Sequence, residues 1–365
     1  MKLIHCADLH LDSKMTANLD KEQAKERNAE ILHTFERMVD YAVENEVKAI
    51  LIAGDMFDTR KITAGTRNRV MHQIKNTRLV FYYLKGNHDY DNFLADMEAE
   101  EIPSNLKLFH SEWTNYEIGN VVISGIELSE KNSQSAYLSL GLDARKFNIV
   151  MMHGQEAESN AKDKAEIINL KELRNKSIDY LALGHVHTYK RDRLDARGIY
   201  CYPGCLEGRG FDECGEHGFV VLDIDEETGN FTDEFVSFAE RKLYTVTVDV
   251  TGCQTTAEMS DKLIAALSEA GCEQKDIVKA VLTGAVDVEC EKDVQSLLIR
   301  YKSQYYFMKI YDETKLRIDA SDYMLDESLK GEFVRMVMKD TLVDEEDKKA
   351  IIRYGLQAIA GEEVQ

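Results

Sequence analysis

The fold this sequence predicts is an α/β layered β-sandwich flanked by helices, with a smaller α+β module behind it. From residue 1 to about 240, short apolar runs alternate with amphipathic stretches, the pattern of strands crossing over through helices. Polar residues of the same few types follow the ends of several of those runs. Near Glu240 the pattern changes, which divides the 365 residues into a large domain over 1–240, an α+β segment over 241–325 and a helical segment over 326–365.

The elements follow from periodicity. Leu3 to Ala7 reads as the first strand. Ile31, Leu32, Phe35, Met38, Val39, Ala42 and Val43 recur at helical spacing, which predicts a helix over Asn28 to Asn45 with one buried face. Val47 to Ala53 is a second buried strand, and similar runs follow at Leu79 to Leu84, Val121 to Ile126, Phe147 to Met152 and Tyr180 to Leu183. Beyond residue 240, Val246, Val248 and Val250 alternate with Thr245, Thr247 and Asp249, a half-buried strand. A helix through Ala257, Leu263, Ile264 and Leu267 comes next, then strands at Ile277 to Leu282 and Tyr305 to Tyr311 with a helix near Val294 to Tyr301 between them. In the tail, Leu329, Phe333, Met336 and Val337 form one helical face, and Ile351, Ile352, Leu356 and Ile359 another.

Composition excludes whole classes of function. Hydrophobic residues at 44% and charged residues at 30% are the balance of a globular chain rather than a disordered one. No apolar run approaches membrane-spanning length, and the first residues turn polar too soon for a signal peptide, so the expected location is the cytoplasm. Seven scattered cysteines (Cys6, Cys201, Cys205, Cys214, Cys253, Cys272 and Cys290) give no disulfide framework and no zinc-finger spacing. The formal net charge of -21 opposes binding of a polyanion. Metal ions in a site, or a basic partner subunit, can supply positive charge where it is needed.

What carries chemistry is the set of side chains at the strand ends. The first strand runs into Asp8 and His10, the second into Gly54-Asp55, the third into Gly86-Asn87-His88-Asp89, and later ones into His153-Gly154 and Gly184-His185-Val186-His187. Ligands of α/β sheets bind outside the carboxyl ends of strands, so five strand ends deliver Asp, His and Asn to one rim. Taken singly, Asp-x-His is a turn, Gly-Asp a strand exit and Asn-His-Asp a helix cap. Together, carboxylates and imidazoles gathered on a rim repel one another unless a cation or a hydrogen-bond network holds them. Mixed His, Asp and Asn donors suit Mn²⁺, Fe²⁺ or Zn²⁺ better than Ca²⁺, and the lack of thiolates argues against a structural zinc.

The ordered set Asp8-x-His10, Gly54-Asp55-x-x-Asp58, Gly86-Asn87-His88-Asp89, His153-Gly154 and Gly184-His185-x-His187 resembles the calcineurin-like metallophosphoesterase superfamily over about the first two thirds of the chain. Within it, Lys2 to His10, Gly54 to Thr59 and Tyr202-Pro203-Gly204 look like SbcD-type DNA repair exonucleases. The resemblance implies two divalent metal ions, Mn²⁺ first, with Fe²⁺, Mg²⁺ and Zn²⁺ as alternatives. Asp8, His10, Asp55 and His187 would hold one ion, and Asp55, Asn87, His153 and His185 the other, with Asp55 bridging. His88 would protonate or steady the leaving oxygen, and Asp58 would orient it, a position some members fill with His. Superfamily phosphatases often follow this Asp directly with Arg, whereas here Thr59 intervenes before Arg60. The resemblance further implies a DNA exonuclease or endonuclease serving as the nuclease subunit of a repair complex, a capping domain that positions DNA, an SMC-like (SbcC-type) ATPase partner and a homodimer.

Other residues leave alternatives open. Arg209, in Gly208-Arg209-Gly210-Phe211, either meets a substrate phosphate or is a turn residue paired with Asp212 or Glu207. His5, His33, His72, His110 and His217 have no partner motif and read as core or surface residues. The tail helices either pack onto the chain's own domains or dock on a coiled coil of the ATPase. Two other classes of function stay in view: a phosphatase or small-molecule phosphodiesterase, which suits the acidic charge, and a catalytically dead binding subunit, which the intact motif set disfavours.

Overall fold

Leu3 and Ile4, neighbours in the first strand, are both fully buried although successive strand residues face opposite sides, so this strand needs apolar cover on both faces. The computed structural model describes residues 1–15, 19–58, 62–89, 93–94, 97, 101–157, 167–287, 290–317 and 323–360. It divides into two units, Met1–Lys242 and Leu243–Gln365. In chain order the first unit contains β1 (Lys2–Cys6), α1 (Lys21–Glu44), β2 (Ala49–Ala53), α2 (Ala64–Lys75), β3 (Val80–Leu84), β4 (Leu106–Leu108), β5 (Thr114–Ile118), β6 (Val121–Gly125) and α3 (Ser135–Ser139). There follow β7 (Phe147–His153), β8 (Gln155–Ala157), β9 (Ile167–Asn169), α4 (Leu170–Leu173), β10 (Tyr180–Gly184), β11 (Lys190–Arg193), β12 (Ile199–Tyr202), β13 (Gly218–Ile224) and β14 (Phe231–Ser237).

Twelve of these strands make two sheets, ordered β14-β13-β1-β2-β3-β4 and β11-β12-β10-β7-β6-β5, and β8 and β9 pair separately. β1, β2, β3 and the edge strand β4 run parallel, as do β6, β7 and β10, and antiparallel strands close the other three edges. Leu3, Ala49 and Leu51 of the first sheet pack against Ile123, Ile149 and Ala182 of the second, which forms the central layer. Ile4, Ile50 and Ile52 face the other way, onto Phe35, Met38 and Val39 of α1. Val150, Leu181 and Tyr200 do the same on the far side, under Tyr137 of α3 and Leu170 of α4. The result is helix, sheet, sheet, helix.

Helix α1 starts seven residues before the periodicity predicts, at Lys21 rather than Asn28, because Asp20 caps it. The Asp20 carboxylate accepts from the backbone N–H groups of Glu22 and Gln23, and the Gln23 side chain accepts from the Asp20 N–H. The buried face of these early turns is polar, which hid it. Arg27, fully enclosed, donates to Glu30 at 2.5 Å, to Glu207 at 3.2 Å and to the Gly208 carbonyl at 2.8 Å. Glu207 is thereby committed to α1, and it also accepts from the Thr34 hydroxyl and the Glu240 N–H.

The second unit contains β15 (Leu243–Asp249), α5 (Thr256–Glu269), β16 (Ile277–Thr283), β17 (Ala285–Asp287), α6 (Val294–Tyr301), β18 (Phe307–Asp312), β19 (Lys315–Arg317), α7 (Leu329–Lys339) and α8 (Glu345–Ala360). β15, β16 and β18 form a parallel sheet. Val246, Val248 and Leu282 of that sheet pack with Met259, Leu263 and Leu297 of the helices. α7 and α8 pack on each other through Val334, Val337, Ile352 and Leu356. The expected tail face is therefore rotated: Leu329 and Met336 are exposed, and Val334 takes the inward position. Among the described residues no helix is long and apolar enough to cross a membrane, and none of the seven cysteines forms a disulfide.

His5 in β1 lies in the central layer with its Nδ1 2.9 Å from the Tyr180 hydroxyl. Burial pushes its pKa from 6.5 down to about 3. The folded chain therefore refuses a proton that the unfolded chain accepts, so stability is lost as pH falls from about 6.5 toward about 3. Between pH 7.5 and pH 5 this amounts to about 2 kcal/mol. His5→Asn, which keeps a polar atom for Tyr180, should lose that much less than the wild type over this interval in urea unfolding. Equal losses would show that His5 is not held neutral.

Candidate metal centre

Three of the five strand ends, those of β1, β2 and β10, reach the rim through backbone that side chains rarely adopt. Asp8, His10, Asp55 and His185 have φ of 51°, 46°, 52° and 102°, all in the left-handed region. The segments after β1 and β2 run side by side: the N–H groups of Asp8, His10 and Leu11 donate to the carbonyls of Gly54, Asp55 and Met56. Asp89 locks the third segment to the second, its carboxylate accepting from the N–H groups of Met56, Phe57 and Gly86. The two sheets are joined at the rim by the His185 N–H, which lies 3.0 Å from both Asp8 oxygens. Gly54 (φ 97°) admits the ring of His153, since a Cβ there would lie 2.1 Å from its Nδ1.

Asp8, His10, Asp55 and His153 are buried, and their donor atoms converge with those of neighbours on the same rim. His10 Nε2 and His187 Nε2 are 3.2 Å apart, and His10 Nε2 is 4.0 Å from Asp55 Oδ2. His187 Nδ1 faces Glu213 Oε1 at 2.6 Å, and His10 Nδ1 faces Asp58 Oδ1 at 3.4 Å. His187 thus directs a proton outward to a carboxylate and turns its Nε2 lone pair toward His10, whose own Nδ1 faces Asp58 without a hydrogen bond. A second convergence lies beside it. Asn87 Oδ1 is 3.0 Å from His153 Nε2 and 3.2 Å from His185 Nδ1, and His153 Nε2 is 3.3 Å from Asp55 Oδ2. His153 Nδ1 donates to the Ala53 carbonyl at 2.9 Å, which again leaves Nε2 as a lone pair.

This donor set fits divalent cations. Asp8, His10 and His187 bring ligand atoms within 4.8 Å of one another, and so do Asp8, Asp55 and His153. Opposed lone pairs in buried surroundings need either an extra proton or a metal. With protons alone, burial opposes a charged His153, yet the Asp55 carboxylate beside it prevails and lifts its pKa to about 9. Burial raises Asp8, against the neighbouring imidazoles. A cation removes the need for either adjustment.

Asp58 sits behind the rim. It accepts from the Ser13 hydroxyl at 2.8 Å and lies 3.2 Å from His88 Nδ1 and 3.5 Å from Arg209 Nη1. The His88 side chain is 50% exposed, and its hydrogen bond to Asp58, against partial burial, raises its pKa. Its backbone N–H donates to Asp55 Oδ1 at 2.8 Å. Thr59 and Arg60 lie outside the described residues.

Arg209 pairs with neither Asp212 nor Glu207 but with Glu213: its Nη2 donates to Oε1 at 2.8 Å and its backbone N–H to Oε2 at 2.7 Å. Glu213 is the site residue that sequence reasoning missed. The available signal was an acid four positions after Arg209 in a segment whose arginine already drew attention. His217 is buried, with Nε2 donating to the Glu213 carbonyl at 2.8 Å and Nδ1 3.2 Å from Cys205 Sγ. The Tyr202-Pro203-Gly204 segment supports the same rim, because the Tyr202 hydroxyl donates to the Gly154 carbonyl and the Cys205 N–H to the His187 carbonyl.

The family model for Calcineurin-like phosphoesterase matches residues 1–189. Among curated proteins, the chain is similar to the "Uncharacterized metallophosphoesterase YhaO" of Bacillus subtilis (strain 168), 28% identical over 266 residues covering 69% of this chain and 64% of that protein. It is similar to the "DNA double-strand break repair protein Mre11" of Sulfurisphaera tokodaii, 26% identical over 266 residues covering 68% of this chain and 65% of that protein. These two matches span a little under two thirds of the relatives' own lengths. The protein of the same name from Saccharolobus solfataricus is 22% identical over 97% of this chain and 94% of its own.

Gly54→Ala should destabilise the first unit by more than about 2 kcal/mol, since it combines a positive φ with an overlap on His153. Urea unfolding of the full chain measures this. Wild-type stability in the variant would mean that the His153 ring does not lean on this backbone.

Proposed function

The chain belongs to the calcineurin-like phosphoesterase family, a hydrolytic metal-dependent enzyme, and from that membership we propose that it is a two-metal DNA nuclease of the double-strand-break repair type. The observation that carries the DNA reading is the extent of the match to the Saccharolobus protein, which runs through the second unit as well as the first. A phosphatase built on the first unit alone would not need that correspondence.

Asp8, His10, Asp55 and His187 hold one divalent ion in this reading, and Asp55, Asn87, His153 and His185 the other, with Mn²⁺ the expected metal. Such a pair supplies Lewis-acid polarisation of a phosphodiester and a water acidic enough to attack it near neutral pH. The chain's own residues do the rest. Asn87 contributes an oxygen without adding charge. Asp58 fixes the His88 ring through Nδ1 at 3.2 Å, so Nε2 carries the proton that the leaving oxygen takes. The hydrogen bond to Asp58 raises the pKa of His88, which favours the protonated ring. Arg209, beside Asp58 and His187, is placed to meet a non-bridging phosphate oxygen.

The exposed apolar side chains of the tail, Leu325, Leu329, Met336 and Leu342, support docking of the α7–α8 hairpin on a coiled coil of an SMC-like ATPase. A second copy of the chain and a cytoplasmic location complete the reading. The net charge of -21 favours one rival, a phosphodiesterase for small substrates.

The test is hydrolysis of labelled linear double-stranded and single-stranded DNA with Mn²⁺, with bis-p-nitrophenyl phosphate alongside and Asp55→Ala as control. DNA degradation that the substitution abolishes is the expected result; turnover of the small ester with intact DNA would transfer the site to the rival. His88→Ala should retain both metals by elemental analysis while turnover falls by about a hundredfold or more. Loss of a metal in that variant would remove His88 from the acid role.

A further inference from the structure

We propose that Glu213 is a positioning residue for the metal centre, one carboxylate that aims the inward nitrogen of His187 and, through Arg209, ties the ligand set to the Asp58–His88 pair. The inference rests on the two-metal reading above. Its ground is the way both Glu213 oxygens are used. Oε1 lies 2.6 Å from His187 Nδ1 and 2.8 Å from Arg209 Nη2. Oε2 lies 2.7 Å from the Arg209 backbone nitrogen, with Arg209 Nε at 3.4 Å.

The proton positions follow. A guanidinium only donates, so the 3.2 Å approach of Arg209 Nη2 to His187 Nδ1 cannot be a bond to an imidazole that is itself donating to Glu213. Two donors share one acceptor. With Nδ1 as donor, His187 is left with Nε2 toward His10 and the rim, the tautomer a metal ligand requires. The carboxylate is also anchored from behind, because His217 Nε2 donates to its own backbone carbonyl at 2.8 Å.

Arg209 extends the chain of contacts to the other half of the site. Its Nη1 is 3.5 Å from Asp58 Oδ2, and Asp58 Oδ1 is 3.2 Å from His88 Nδ1. A ligand and the leaving-group acid, which come from opposite sheets, thus share one run of alternating donors and acceptors: His187, Glu213, Arg209, Asp58, His88. Through Arg209, Glu213 acts on a group it does not touch.

The experiment is calorimetric titration of the metal-free full chain with Mn²⁺ for the wild type, Glu213→Gln, Glu213→Asp and His187→Gln, with melting of each metal-free protein. Gln keeps the shape of Glu213 but sets an amide against the donors of Arg209. The expected result is two binding steps in the wild type and, in Glu213→Gln, a loss of about 10- to 100-fold in the step that His187→Gln removes. The other step and the metal-free melting temperature should be unchanged. Glu213→Asp, which keeps the charge, should recover part of the affinity, and excess Mn²⁺ should restore much of the lost kcat in Glu213→Gln. An unchanged isotherm in Glu213→Gln overturns the inference. So does a loss that appears only with a lowered metal-free melting temperature, the mark of a merely structural tie. A wild-type chain with a single Mn²⁺ step overturns the two-metal reading itself.

Discussion

Opposed lone pairs at the rim are what the first unit is built around. Imidazole nitrogens 3.2 Å apart, and an amide oxygen 3.0 Å and 3.2 Å from two more, are held in contact by outward bonds to Glu213 and the Ala53 carbonyl. Each of those bonds belongs to a different part of the fold. The Ala53 carbonyl ends β2 in one sheet and receives the ring of a residue that ends β7 in the other. The left-handed backbone at Asp8, His10, Asp55 and His185 follows from the same demand: strands that continued as extended chain would carry these side chains past the rim. Packing of the three apolar layers resists the repulsion and the strain together.

The sheet assembly explains why residues so distant in sequence meet. β1 lies between β13 and β2, and β10 lies between β12 and β7. The buried parallel strands stack with their carboxyl ends level, so the turns that follow them share one edge. The antiparallel strands β13 and β14 add no ligands. β13 covers the open side of β1, which would otherwise present unpaired backbone in the middle of the unit.

Much of this was legible in the sequence because strand ends and motif residues obey local rules. The runs ending before Asp8, Asp55 and His153 are apolar on both faces, and their breaks into polar residues marked the rim. What escaped was polar burial. Arg27 and Glu207 are inside the protein, yet neither contributes to an apolar period, so α1 began earlier than its hydrophobic stripe. Glu213 escaped for a related reason: its partners, His187 and Arg209, are brought to it by the fold and not by a repeating pattern. In the tail, propensity identified two helices, but the phase of α7 depended on α8, where Ile352 and Leu356 select Val334 over Leu329 and Met336.

The pairing of β1 with β13 has a temporal side. Lys2 is opposite Asp223 and His5 opposite Val220, so β1 waits for a partner strand synthesised more than two hundred residues later. The groups around the rim extend from Asp8 to Glu213. A chain interrupted anywhere in that interval lacks part of the set, and the rim is therefore unfinished in every incomplete copy of the unit. A phosphoesterase unit is in this way kept inert by its own topology until the last segment of the rim has been made.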